Sequence, residues 1–269
     1  MRHDARVYQF CHKEVPYGLT KDSLHTPLEV GYITRDNHVS GAISDANGDN
    51  ISNLNPCFAE QTGTYWIWRN HDTDLNYIIT EQYRRRFNLQ EDYDFDALIG
   101  CHSVVACKPL WLGRNSVMSQ FCGYHSPVLW EVFRDAVDDM LPQYSEAFRE
   151  YLENPMPKGN PAVLYYSGGF GAATPIFEYF CEELFSVLIY VFETLGGTCP
   201  NVYATVERLM KEGKWRQAST HGTGLEECVR YQSQICGFVA ERFMTLWIRK
   251  NYEGRVLEIP YTLMENSGI

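Results

Sequence analysis

The stretch GDNISNLNPCFAEQTGTYWIWRNHDTDLNYIITEQYRRRF, Gly48 to Phe87, decides how the rest of the chain is read. Asn55 suits an N-cap, Pro56 the first helical position, and Glu60 lies close enough to complement a helix N-terminus. The helix these predict carries Phe58, Tyr65, Trp66 and Trp68 and stops at Asn70-His71-Asp72. A short strand, Asn76 to Thr80, follows and delivers Arg84, Arg85 and Arg86 at its C-terminal end. In an open α/β sheet ligands gather at the C-terminal ends of strands, so this placement points to an anion.

Outward from this stretch, Arg6 to Cys11 reads as a first strand ending at His12-Lys13, a cation pair that either faces the same anion or opens a loop. Residues 14–47 are rich in Gly, Pro, Asp, Asn and Ser, with Leu28 to Ile33 the one extended run, and a segment of that length suits a binding loop. Asp92 to Asp96 reads as a solvated turn, or as hard oxygen ligands, before an expected strand at Ala97–Gly100. Ser126-Pro127 opens an amphipathic helix, and the Pro- and Gly-rich residues 154–161 read as a turn cluster. A strand over Ala162–Ser167 is expected to run into a substrate loop, Gly168-Gly169-Phe170-Gly171, or into a tight turn. Helices are expected from Thr174 to Gly196-Gly197, over Val202–Lys214 and over Leu225–Asn251, with a closing strand at Arg255–Ile259.

With 269 residues, 45% of them hydrophobic, the chain suits one large α/β domain over residues 1–269. The net charge of −11 argues against a general nucleic-acid binder, which needs spread cations to displace phosphate counterions. Nine scattered cysteines and no signal peptide suit reduced thiols in a cytoplasmic compartment. The longest apolar run, Phe185 to Phe192, falls far short of the roughly 20 residues a membrane span needs. Cys101-His102, Cys107, Cys122 and His125 match no ordinary zinc spacing.

Gly48-Asp49-Asn50-Ile51-Ser52, Asn55-Pro56, Tyr65-Trp66-Ile67-Trp68, Tyr83-Arg84-Arg85 and Gly237-Phe238-Val239-Ala240-Glu241-Arg242 occur in the order seen in one bacterial family. The chain resembles, over nearly its whole length, the capsular-polysaccharide and O-antigen glycosyltransferase-like family, formerly a domain of unknown function. Two departures stand out: Gln82 occupies the place of a family His, and Gly168 to Gly171 replaces a run richer in Asn and Met.

The resemblance implies a GT-A-like nucleotide-sugar-binding α/β fold, a mixed central sheet flanked by helices with a helical C-terminal part. It implies transfer of a sugar, galactofuranose or galactose, from a UDP-sugar donor to a glycan or lipid-linked oligosaccharide acceptor, at or near the inner face of the cytoplasmic membrane. On that basis Glu241 and Asp49 are candidate catalytic carboxylates, with Glu60 an alternative base. His12, Asn50, Tyr83, Arg84 and Arg85 are donor-binding candidates, because arginine forks pair with phosphate oxygens. Trp66, Trp68, His125 and Gly169 are acceptor-side candidates, although two tryptophans so close on a helix are more often core or helix-packing residues than sugar-stacking ones. A divalent metal (Mn or Mg) stays open, since Asp72-Thr73-Asp74, the nearest Asp-x-Asp, precedes the strand it should follow. A catalytically silent glycan- or nucleotide-sugar-binding relative is the alternative function.

Overall fold

The computed structural model describes residues 4–14, 18–20, 22–87, 89–90, 93–100, 104–155, 162–165, 169–215 and 224–264. The chain begins with β1 (Ala5–Cys11), β2 (His25–Glu29) and β3 (Ile43–Ser44), then α1 (Asn55–Phe58), α2 (Gln61–Asn70), β4 (Tyr77–Gln82) and β5 (Arg85–Arg86). Next come α3 (Phe95–Gly100), β6 (Val104–Cys107), β7 (Leu110–Trp111), α4 (Val117–Tyr124), α5 (Pro127–Met140), α6 (Ser145–Phe148), β8 (Val163–Leu164) and β9 (Gly169–Ala173). The C-terminal part holds α7 (Thr174–Leu195), α8 (Cys199–Lys211), α9 (Leu225–Gln232), α10 (Ile235–Tyr252), β10 (Val256–Ile259) and β11 (Thr262–Leu263).

One mixed sheet runs in the order β10-β6-β9-β4-β1-β2-β3, with β5 hanging from β4 and β11 from β5. β1 pairs in parallel with β2 on one side and β4 on the other, while β9 is antiparallel to both β4 and β6. The chain therefore winds outward from β1 to β3, returns through α1 and α2, and resumes at β4. That reversal leaves a crevice at the C-terminal ends of β1 and β4, where open α/β sheets bind ligands.

The apolar residues of the expected long helix do form α7, with Phe177, Phe180, Leu184, Phe185, Leu188, Val191 and Phe192 buried. Phe180 meets Phe170 of β9 and Trp247 of α10, with ring centroids 4.6 and 5.0 Å apart. Within this core Glu183 is buried, and it accepts hydrogen bonds from Tyr144 Oη at 2.6 Å and from Tyr179 Oη and Trp247 Nε1, both at 2.8 Å. A buried carboxylate is tolerated when its lone pairs are filled in this way.

Several expected elements are corrected. The aromatic helix is two helices, because Ala59 adopts φ 51° and breaks the hydrogen-bond ladder between α1 and α2. Asn55 is not an N-cap; its amide turns inward to donate to Ala59 O at 2.7 Å and Thr62 Oγ1 at 3.3 Å. Ala97–Gly100 lies in helix α3, opened by Asp94 Oδ1 accepting from Ala97 N. Gly169 and Gly171 lie inside strand β9 rather than in a loop, while residues 166–168 fall outside the described residues. The expected helix over 225–251 is divided at Ser233-Gln234 into α9 and α10.

Candidate functional site

The crevice is shaped first by the loop after β2. Gly31 sits at φ 69°, a left-handed conformation suited to glycine, and a Cβ there would come within 2.3 Å of the Asn55 side chain. Asp45, fully buried, accepts from Gly31 N at 2.7 Å, Tyr32 N at 3.0 Å and Ser52 Oγ at 2.5 Å, which fixes this turn. The turn presents Arg35, whose Nε donates to Val30 O at 3.1 Å and whose Nη2 donates to Asn55 Oδ1 at 3.4 Å.

The opposite wall follows β4. Buried Glu81 accepts from Gln9 Nε2 at 2.7 Å and from Phe87 N at 2.9 Å, tying the end of β4 to the chain beyond the arginines. Burial pushes the Glu81 carboxyl above its usual range. Between these ties, Arg84 lies over the Tyr83 ring at 5.3 Å, and Tyr83 Oη and His12 Nε2 share a hydrogen bond of 3.4 Å.

The resulting cavity has a volume of about 540 Å³, within the range of small-molecule sites. Its charged lining consists of Arg35, Arg84, Arg230 and Glu60, with His12 beside them. Burial, then the Arg35, Arg84 and Lys13 charges, pushes His12 down to about 4, so near neutral pH it is an uncharged imidazole. Three guanidinium groups against one carboxylate make the cavity positive in a chain of net charge −11. Arg230 comes from α9, and Tyr203 of α8 and Tyr231 of α9 complete the far wall.

Glu60 is held from behind by a relay. Arg85 Nη1 donates to Gln82 Oε1 at 2.9 Å, and Gln82 Nε2 donates to Glu60 Oε1 at 3.2 Å. Ala59, the residue with φ 51°, immediately precedes Glu60, and its carbonyl is gripped by Asn55. Strain of this kind persists where surrounding contacts over-determine it, often at functional sites.

The structure brings His12, Tyr83 and Arg84 together in the cavity and sets Arg85 one hydrogen bond behind it. The other candidates lie elsewhere. Asp49 pairs with Arg69 at 2.8 Å on the exposed side of α2, and the Asn50 amide donates to Ala46 O and Gly48 O in its own turn. Glu241 pairs with Arg242 at 2.6 Å and is absent from the cavity lining. Trp66 donates from Nε1 to Asn47 O at 2.8 Å, and Trp68 stacks on Phe185 at 5.6 Å, so both take the helix-packing role.

His125 is buried, stacked on Phe238 at 3.9 Å and bonded to Gln232 at 3.0 Å; burial and Arg242 push it down to about 3. Gly169 leaves no room for a side chain, since a Cβ would meet the Phe87 ring at 2.4 Å and Cys107 Sγ at 2.5 Å. Arg35, Arg230, Tyr203 and Tyr231 were not singled out by sequence. Arg35 lies in the expected binding loop, whereas the helical residues carry only an exposed amphipathic pattern.

Among the described residues no three or more His, Cys, Asp and Glu side chains group to hold a metal ion. Cys101 and His102 lie outside the described residues. Asp72-Thr73-Asp74 forms a turn, with Asp74 N donating to Asp72 Oδ1 at 3.1 Å. Hard divalent ions take about six or more oxygen ligands, and Glu60 is the one carboxylate among the described residues lining the cavity. Glu60 would be the one carboxylate offered to such an ion, whose remaining oxygens would come from donor phosphates and water. No helix among the described residues is long and apolar enough to cross a membrane.

The fold is GT-A-like and similar to that of a solved protein, the apo structure of the bifunctional glycosyltransferase WbbM, with a TM-score of 0.71. The two are 20% identical, and the match covers 97% of this chain and 45% of that one. This chain thus spans less than half of that protein's length, and the likeness at this identity establishes architecture. No curated protein matches the sequence. A family profile matches residues 6–205, well over half of the chain, and the chain therefore belongs to the family described as Domain of unknown function (DUF4422).

Proposed function

We propose that the chain is a hexosyltransferase that moves a sugar, galactose or galactofuranose, from a UDP-sugar to a glycan acceptor in bacterial capsule or O-antigen synthesis. The observation that carries this is the cavity at the strand reversal, lined by Arg35, Arg84 and Arg230 together with one carboxylate, Glu60. The GT-A-like architecture supports it.

In this mechanism the arginines bind the donor diphosphate and stabilise the charge that grows on it as the sugar leaves. The bond from the anomeric carbon to the acceptor oxygen forms as the bond to phosphate breaks, and that electron pair departs with UDP. Glu60 takes the acceptor hydroxyl proton, the role an inverting transfer requires. It replaces Glu241 and Asp49 as first choice because it alone of the three lines the cavity. Neutral His12 contributes hydrogen bonding at Tyr83 rather than charge. The reaction is assigned to the cytoplasmic side of the membrane, where the chain meets a lipid-linked acceptor peripherally.

A transfer assay with a panel of UDP-sugars tests the assignment. Turnover by the wild type and its loss in Glu60→Gln, with UDP binding retained, is the expected result. UDP-sugar binding without turnover under metal-replete conditions would assign the chain to silent binding relatives instead.

A further inference from the structure

The positive cavity shares a wall with a second one. A groove of about 660 Å³ runs between α8 and α9, and Tyr203 lines both spaces. The groove's apolar surface comes from Pro200, Ala204, Leu225 and Val229, with Leu225 37% exposed. Its charges are of the opposite sign to those next door: Glu207 and Glu226 line it, and no cation does among the described residues. Glu207 is paired with Lys211 at 2.7 Å on the surface of α8.

An aromatic ring, apolar surface and carboxylates form a set suited to carbohydrate. The ring covers the C–H face of a sugar, and carboxylates accept hydrogen bonds from hydroxyl groups. With Glu207 offset by Lys211, Glu226 is the carboxylate that chiefly repels an anionic ligand, so the two spaces sort ligands by charge. We propose that this groove is the acceptor site and that it takes a neutral glycoside, the sugar lying on Tyr203 and an apolar aglycone along Leu225 and Ala204. The proposal rests on the donor reading of the arginine-lined cavity, because the shared Tyr203 is what sets an acceptor hydroxyl beside it.

The test titrates the full chain, with and without saturating UDP, with p-nitrophenyl β-galactoside and p-nitrophenyl β-glucuronide by ligand-observed NMR. The neutral glycoside should bind about 5-fold or more tightly than the anionic one, a difference expected from one unfavourable charge contact. Ala204→Trp, which fills the groove from an exposed helix position, should weaken galactoside binding by roughly 10-fold while UDP affinity stays within about twofold. Glu226→Lys, a surface change that spares the fold, should improve glucuronide binding.

Equal affinity for both glycosides, no galactoside binding, or no response to Ala204→Trp and Glu226→Lys overturns the proposal. Sedimentation that changes with Ala204→Trp while galactoside affinity does not would assign the groove to a second copy of the chain, and overturns it equally. UDP titration is scored separately: failure of UDP to bind removes the donor reading, whereas UDP binding without glycoside binding removes the groove alone.

Discussion

Arg84 and Arg85 are neighbours in sequence with different tasks. Arg84 lines the cavity, whereas Arg85 is engaged by Gln82 and acts on the cavity through Glu60. Replacing Arg84 or Arg35 with Ala should weaken UDP binding about 10-fold each, the worth of one charged hydrogen bond, as measured by calorimetry. Arg85→Ala should leave UDP affinity within about threefold and lower transfer instead, since it loosens the carboxylate rather than the phosphate contact. Glu60→Gln should retain UDP affinity and lose about 100-fold or more in turnover, the usual worth of a general base.

Half-buried His12 and buried His125 give a pH dependence with a definite sign. His12 and His125 are pushed down to about 4 and about 3, below the unfolded value of 6.5. Between these limits the unfolded chain binds more protons, so stability is present above pH 6.5 and lost as pH falls toward the folded values. From pH 7 to pH 5 each histidine should remove about 2 kcal/mol. Urea denaturation at the two pH values should show this fall reduced by about that amount in His125→Gln; an unchanged pH dependence would mean His125 is not held neutral.

At the scale of elements, the arms of the site depend on close backbone approaches. Gly31→Ala would impose a side chain on a left-handed residue and press on Asn55, which holds Arg35 and the Ala59 carbonyl. It should lower UDP affinity as well as melting temperature. Gly169→Ala, by contrast, meets Phe87 and Cys107 away from the cavity lining. It should cost about 1–3 kcal/mol of stability, the range for overpacking, and leave the UDP affinity of the folded protein unchanged.

The same elements mark what was legible in the sequence. β1, β4 and α7 follow from apolar pattern and end signals, because their burial is set by residues close in sequence. The break at Ala59 was not legible, since the positive φ at this non-glycine residue is held by local side-chain bonds from Asn55 and Thr62 to its carbonyl, which residue type and spacing alone do not specify. Ala97–Gly100 has strand-like composition but follows an Asp94 cap that starts a helix. Glu60 was visible as a helix-terminus charge, while its facing into a cavity depends on where β4 returns beside β1. The pairing of Glu241 with its sequence neighbour Arg242 is legible as the alternative to a base role, and the fold takes that alternative, whereas the Arg69 partner of Asp49, 20 positions away, only the folded chain reveals.

For the whole molecule, the central fact is the reversal of strand order at β1 and β4. It places a positive cavity on an acidic chain and puts the expected arginine end of β4 opposite a loop arginine more than 40 positions earlier. Calorimetric titration of UDP into the wild type and the Arg35→Ala/Arg84→Ala double variant tests this most directly. One saturable site in the wild type and a loss of about 100-fold in the double variant are expected, with the fold unchanged by circular dichroism. UDP binding of equal strength in both proteins would contradict it.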